Sequence, residues 1–185
     1  MLLKKIHELG IPVVDVIEPF KDVQSLMQYT KTLKNAEGFI IAFEDGHKLK
    51  IKADEYVRIH KTLDRIRFDR NIVALIINEN IDDVVGMLPE EEAKKVHAFE
   101  ERFWNAFKQK EDYILGLRDI ANQLYDNDRK QIAVSFVPTL DHKADAGFIF
   151  KLLDGHGIRV LMMAYIEKNI STNTKWDVCA KWMGM

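Results

Sequence analysis

Asp45-Gly46 sits between two β-rich runs, Phe39-Ile40-Ile41-Ala42-Phe43 and Lys48-Leu49-Lys50-Ile51-Lys52. A two-residue hairpin turn of type I′ needs positive φ at both central positions, and Asp-Gly is among the dipeptides that best supply it. Closing the chain there pairs Glu44 with His47, Phe43 with Lys48, Ile41 with Lys50 and Phe39 with Lys52. Cross-strand partners share a face, as do residues two apart on one strand. Glu37, Phe39, Ile41, Lys48, Lys50 and Lys52 are therefore expected on one side, with Ile40, Ala42, Leu49 and Ile51 on the other. A four-residue loop preserves this register, and a three-residue loop flips it.

The side carrying Ile40, Ala42, Leu49 and Ile51 reads as core. The mixed side supports two readings. A carboxylate accepts a hydrogen bond from a ribose hydroxyl, aliphatic and aromatic groups pack on a purine, and lysines neutralise phosphate as point charges on flexible stems. The same residues also suit a solvated strand face whose lysines guard an edge against pairing with another chain.

Around the hairpin, residues 1–9 read as a short helix ended by Gly10, and Ile11–Ile17 as a strand with Pro12 near its start. Asp22 caps a helix through Leu33, and Asp54 starts another. Beyond about residue 64 the pattern turns helical. Ile72-Val73-Ala74-Leu75-Ile76-Ile77 fits a strand or a helix, with length and context favouring helix. Pro89-Glu90-Glu91-Glu92 is a helix start, with proline at N1 and acids facing the positive end of the helix dipole. From there apolar residues recur at helical spacing to about Tyr125, with a bend expected near Gly116. Arg129–Val137, Asp141–Leu153 and Ile158–Lys168 read as further helices. Trp176 and Trp182 in the tail are expected to pack on the domain.

The single Cys179 excludes an internal disulfide and suits a reducing cytoplasm. No apolar run is long enough to span a membrane. The six histidines show no zinc-site spacing, so no metal site is expected. A net charge of −2 excludes a strongly basic nucleic-acid protein, while local clusters can still engage RNA. Lys108, Lys110, Arg129 and Lys130 read as a modest RNA-facing patch or as solvated surface. The stripe Phe99, Phe103, Phe107 reads as core.

Glu37-Gly38-Phe39-Ile40 resembles nucleotidyltransferase motif IV, and Lys50-Ile51-Lys52 resembles motif V. With the following Asp54, Tyr56 and His60, and with Asp128-Arg129-Lys130 ahead of two helices, the chain resembles the bacteriophage RNA ligase 1 family. The resemblance is specific over residues 37–62 and diffuse beyond. It implies an α+β chain: part of a nucleotidyltransferase (ATP-grasp-like ligase) β-hairpin segment over residues 1–63, then an all-helical C-terminal domain over 64–185. The family uses ATP and Mg2+ to seal RNA ends. A lysine becomes adenylated, AMP moves to a 5′-phosphate end, and a 3′-hydroxyl displaces it. By resemblance, Glu37, Gly38, Phe39, Lys50 and Lys52 contact the nucleotide, and Lys50 and Lys52 serve as catalytic phosphate contacts. The implied partner is RNA, with tRNA in view through the C-terminal domain.

The nucleophile motif Lys-x-Asp-Gly is missing from these residues. Lys143-Ala144-Asp145-Ala146-Gly147 and Lys151-Leu152-Leu153-Asp154-Gly155 have the wrong spacing and fall after motif V. Glu18 stands as a remnant of an intervening strand or as a turn residue. The expectation is a truncated or split ligase, inactive in RNA repair by itself and needing an N-terminal polypeptide that carries the lysine. The alternative is a noncatalytic helical module that binds RNA or a partner.

Overall fold

The computed structural model describes residues 6, 8–13, 15–17 and 20–185. The expected helix over residues 1–9 falls mostly outside them, and Glu18 lies wholly outside them. The chain forms two compact units, Met1–Arg58 and Ile59–Met185. It is α+β, with a two-stranded antiparallel hairpin followed by a helical region.

In the first unit, α1 (Val23–Thr32) starts at Asp22, whose carboxylate accepts from the Ser25 N–H at 2.7 Å. This satisfies one of the donors that a helix N-terminus leaves open. Strands β1 (Gly38–Ala42) and β2 (Lys48–Lys52) form the hairpin, and α2 (Asp54–Arg65) follows directly. Among its described residues, Ile11–Ile17 forms no strand. Its described residues lie outside the ladder, with Ile11, Val16 and Ile17 exposed. A strand needs a partner for its backbone groups, and among the described residues the sheet stops at two strands.

The hairpin register also departs from expectation. Ile40 pairs with Lys50, Ile41 with Leu49 and Ala42 with Lys48. The loop has three residues, Glu44-Asp45-Gly46, closed by Phe43 N–H to His47 O at 2.9 Å. Only Gly46 takes positive φ, at 89°. Asp45 instead turns its carboxylate forward to accept from the His47 N–H at 3.0 Å. A local side-chain cap with a left-handed glycine after it favours the three-residue loop over the type I′ turn. The one-residue shift exchanges the faces.

The second unit is built on α5 (Glu90–Tyr125), a 36-residue helix. Pro89 is its N-cap rather than its first residue, and Glu90, Glu91 and Glu92 occupy the first turn. The helix runs through Gly116 without interruption. Around it lie α3 (Asp69–Ile77), α4 (Ile81–Val85), α7 (Lys143–Leu153), α8 (Ile158–Asn169) and α9 (Asn173–Met183). Between α5 and α7, α6 (Arg129–Gln131) widens into a π-turn over Ile132–Phe136 and tightens again at Val137–Thr139 around Pro138. Phe103, Phe107, Ile114, Met162 and Ile166 are fully or almost fully buried in the main core. The tail forms α9, which buries Trp176 and Trp182. Trp176, Cys179, Ala180 and Met183 recur at helical spacing along it, and Thr172 caps it by accepting from the Lys175 N–H.

A charged group sits inside this core. Asp145 is fully buried, accepts from the Trp182 indole N–H at 2.7 Å and pairs with the Lys110 ammonium at 3.1 Å. Lys110 also lies 4.7 Å from the Tyr113 ring centre and 4.8 Å from the Trp182 ring centre. Lys110 therefore leaves the expected RNA-facing patch, because its charge is spent internally. Lys108 pairs with Asp112 and Arg129 with Asp154, both cations staying more than half exposed. The two near-matches to a nucleophile motif are likewise engaged in structure through Asp145 and Asp154.

Candidate functional site

The flipped register places Lys48, Lys50 and Lys52 on one face with Ala42, Ile40 and Gly38 opposite them. Glycine and alanine project little over the outer lysines, so that face stays open. Phe39 and Ile41 turn to the other face with Leu49 and Ile51. There Phe39 is half-buried, stacked on Phe20 at 6.1 Å and tilted to Tyr29 at 6.2 Å. The structure thus separates Phe39 from the lysines with which the sequence grouped it.

Glu37 belongs by strict alternation to the Phe39 face, yet its carboxylate meets Lys50 Nζ at 2.5 Å. Gly38, between them, has φ of 140°. That backbone is open to glycine alone among ordinary residues, and it re-aims Glu37 across the pleat. Space imposes the same requirement: a Cβ on Gly38 would lie 2.0 Å from the Ile51 carbonyl oxygen and 2.8 Å from the Lys52 Cα.

The start of α2 completes the cluster. Buried Ala53 donates its N–H to the Glu37 carbonyl at 2.9 Å, tying strand to helix. In the next turn Tyr56 lies beneath Lys52, with the ammonium 5.6 Å from the ring centre, and its hydroxyl helps hold the Glu37 carboxyl low. Glu55 accepts from the Asn35 N–H at 3.1 Å and holds the approach to β1. Sequence reading missed the clamping by Tyr56 and Glu55. The signal was present only as their position one turn after motif V.

The electrostatics follow from this geometry. The hydrogen bond from Lys50 holds the Glu37 carboxyl below the usual carboxylate range, helped by the charges of Lys50 and Lys52. The same bond raises the Lys50 ammonium above its ordinary value. The Glu37 carboxylate thus faces the Lys50 and Lys52 ammonium groups, with Lys48 further along the same strand face. The Lys48 amine has no partner among the described residues, and Lys52 lies over the Tyr56 ring while its charge acts on Glu37. Such a surface attracts an anion with several negative oxygens. Lys50, kept protonated by its bond to Glu37, is a poor attacking amine.

Among curated proteins, a 72-residue stretch of the chain is 33% identical to the putative bifunctional polynucleotide kinase/RNA ligase of Autographa californica nuclear polyhedrosis virus. The stretch makes up 38% of this chain and 10% of the viral protein. No protein-family model matches the chain. No solved structure matches it. The chain therefore has a partial sequence likeness to an RNA ligase. Among the described residues, no helix is long and apolar enough to cross a membrane.

Proposed function

We propose that this chain supplies the phosphate contacts and the RNA-engaging helical part of an ATP-dependent RNA ligase, while the lysine that becomes adenylated comes from polypeptide outside these 185 residues. The observation that carries this reading is the open hairpin face bearing Lys48, Lys50 and Lys52, with Glu37 and Tyr56 gathered at its Lys50–Lys52 end. The partial likeness to a viral protein named for RNA ligase supports it.

On this reading, ATP and Mg2+ meet the hairpin face when the missing part brings its lysine to the α-phosphate. That lysine forms a phosphoramidate bond with AMP as the bond to pyrophosphate breaks. Lys50 and Lys52 neutralise charge that builds on the phosphate oxygens, a contribution of positioning and electrostatics. Glu37 holds Lys50 extended before the nucleotide arrives and then accepts from a ribose hydroxyl. Gly38 permits that geometry. Phe39 anchors β1 to Phe20 and Tyr29 from behind. The helical unit contributes RNA choice, with tRNA as the class to try first.

A second reading, a noncatalytic RNA-binding module, is favoured by one observation. The helical unit has its own core and needs nothing from the hairpin to bury it.

Intact mass after incubation with ATP and Mg2+ tests the division of labour. The expected mass is unchanged, and sealing appears only when a ligase polypeptide carrying Lys-x-Asp-Gly is added. A gain of one AMP by this chain alone overturns the assignment of the nucleophile elsewhere.

A further inference from the structure

Within the helical unit, a cavity of about 300 Å³ opens between the end of α2 and one face of α3. Asn71, Ala74, Leu75 and Asn78 recur at helical spacing along that face, Arg65 comes from the last turn of α2, and Asn80 follows α3. The volume lies at the lower end of the range for small-molecule sites, which suits one small ligand or one unit of a polymer.

The polar groups are available. Asn71 is half-buried, and among the described residues its carboxamide has no hydrogen-bond partner. Asn80 stands at the N-cap of α4 but makes no side-chain cap bond. Arg65 has no ion-pair or hydrogen-bond partner among the described residues. Asn78 donates to the Ala74 carbonyl at 2.6 Å, leaving its side-chain oxygen as an acceptor.

The end of α3 is also neutralised as an obstacle. Asn80 N–H reaches the Leu75 carbonyl at 2.9 Å and Glu79 N–H the Ile76 carbonyl at 3.2 Å. This is a Schellman closure, with Glu79 at φ 56° in the position usually given to glycine. The Leu75 and Ile76 carbonyls are thereby satisfied and turned away from an incoming anion.

Carboxamides that offer both donors and acceptors match the edge of a nucleobase, as in the paired contact of Asn with adenine. The Ala74 and Leu75 floor meets an uncharged ring. One guanidinium suits one phosphate. A metal ion is a poor fit, because no carboxylate lines the cavity. We propose that this cavity is a subsite for a single unpaired RNA nucleotide, its base edge on Asn71, Asn78 and Asn80 and its phosphate on Arg65. The choice of RNA rests on the function proposed above. The site is separate from the hairpin face.

The test is binding of a fluorescein-labelled single-stranded RNA octamer to the full chain at several salt concentrations. Arg65→Ala is expected to weaken binding about tenfold and to lower the salt slope by about one. Asn71→Ala is expected to weaken binding about tenfold with the slope unchanged. Asn71→Asp, which keeps shape and loses the donor, should fall with it, and circular dichroism checks that each variant stays helical. If the chain binds RNA and all three folded variants bind as the wild type does, the subsite is wrong while the RNA reading stands. If the wild type binds no RNA, both are wrong. The hairpin face is judged separately by its response to ATP.

Discussion

Phe103 and Phe39 each stand at the centre of their own unit. Phe103 is fully buried among the side chains of α5 and its neighbours, whereas Phe39 is half-covered by Phe20 and Tyr29. The same contrast runs through both regions. The helical unit encloses two apolar clusters and a buried ion pair. Among the described residues of the first unit, only Leu26, Thr30 and Ala53 are buried. Burial of apolar surface is the main driving force for folding, so the helical unit is held by its core. The hairpin is held by its ladder, the clamps of Glu55 and Tyr56, and one glycine. The region with the stronger candidate chemistry is thus the less self-sufficient one. That fits a site completed by a ligand or by further polypeptide.

The contrast can be broken at several points. Asp145→Ala leaves Lys110 buried without its counter-charge and the Trp182 N–H unpaired. Urea unfolding of the helical unit should show a loss of roughly 3–5 kcal/mol. Replacing both partners, Lys110→Met with Asp145→Leu, should recover most of that loss. A small loss for Asp145→Ala alone would mean that the pair is solvated and that the core differs from the one described. Phe103→Ala should cost a comparable amount, about 3–5 kcal/mol.

Gly38→Ala is next. The colliding Cβ should abolish the hairpin, so amide protection over residues 38–52 disappears while the urea midpoint of the helical unit stays put. Retained protection would show that β1 and β2 pair in another register. Phe39→Ala should weaken the hairpin by about 1 kcal/mol, the scale of an aromatic cluster contact, measured by local amide exchange. A cost as large as that of Phe103→Ala would erase the distinction between the units.

The smallest effect concerns pH. The Glu37 carboxyl lies below its usual range because Lys50 donates to it. Its folded value is depressed, so its contribution to the hairpin is present above the unfolded carboxylate value and is lost as pH falls through the folded one. The Lys50 value is raised, so its share is lost only as pH rises through that raised value. Carbon-detected NMR should place the Glu37 midpoint below that of an unpaired glutamate, and Lys50→Met should move it upward. An unchanged midpoint in Lys50→Met would remove the ion pair from the account.

Much of the helical unit is readable from residue order. Pro89 and three glutamates mark where α5 begins, and its apolar spacing carries it to Tyr125. Asp22 and Asp54 announce α1 and α2 in the same way. The hairpin is readable as a hairpin, but its register is not. Asp-Gly serves both a two-residue turn and a three-residue loop, and the choice depends on whether the Asp45 carboxylate caps His47. The convergence of Glu37 on Lys50 survives that slip only because Gly38 bends the strand. The Lys110–Asp145 pair joins residues 35 apart along the chain and leaves no local signal, whereas α9 does leave one, because Trp176, Cys179, Ala180 and Met183 recur at helical spacing in a tail read only as packing on the domain. Arg65 and the three asparagines of the cavity read singly as surface. Only the turn between α2 and α3, which brings Arg65 back to the face carrying Asn71 and Asn78, puts them around one cavity.

The most direct test of the central claim is an ATP–Mg2+ titration of the 15N-labelled full chain, followed by amide shifts. The account predicts saturable shifts confined to Glu37, Gly38, Lys48, Lys50, Lys52, Tyr56 and their neighbours, and their loss in Lys50→Ala. No shifts at the hairpin, or shifts that persist in Lys50→Ala, would contradict it.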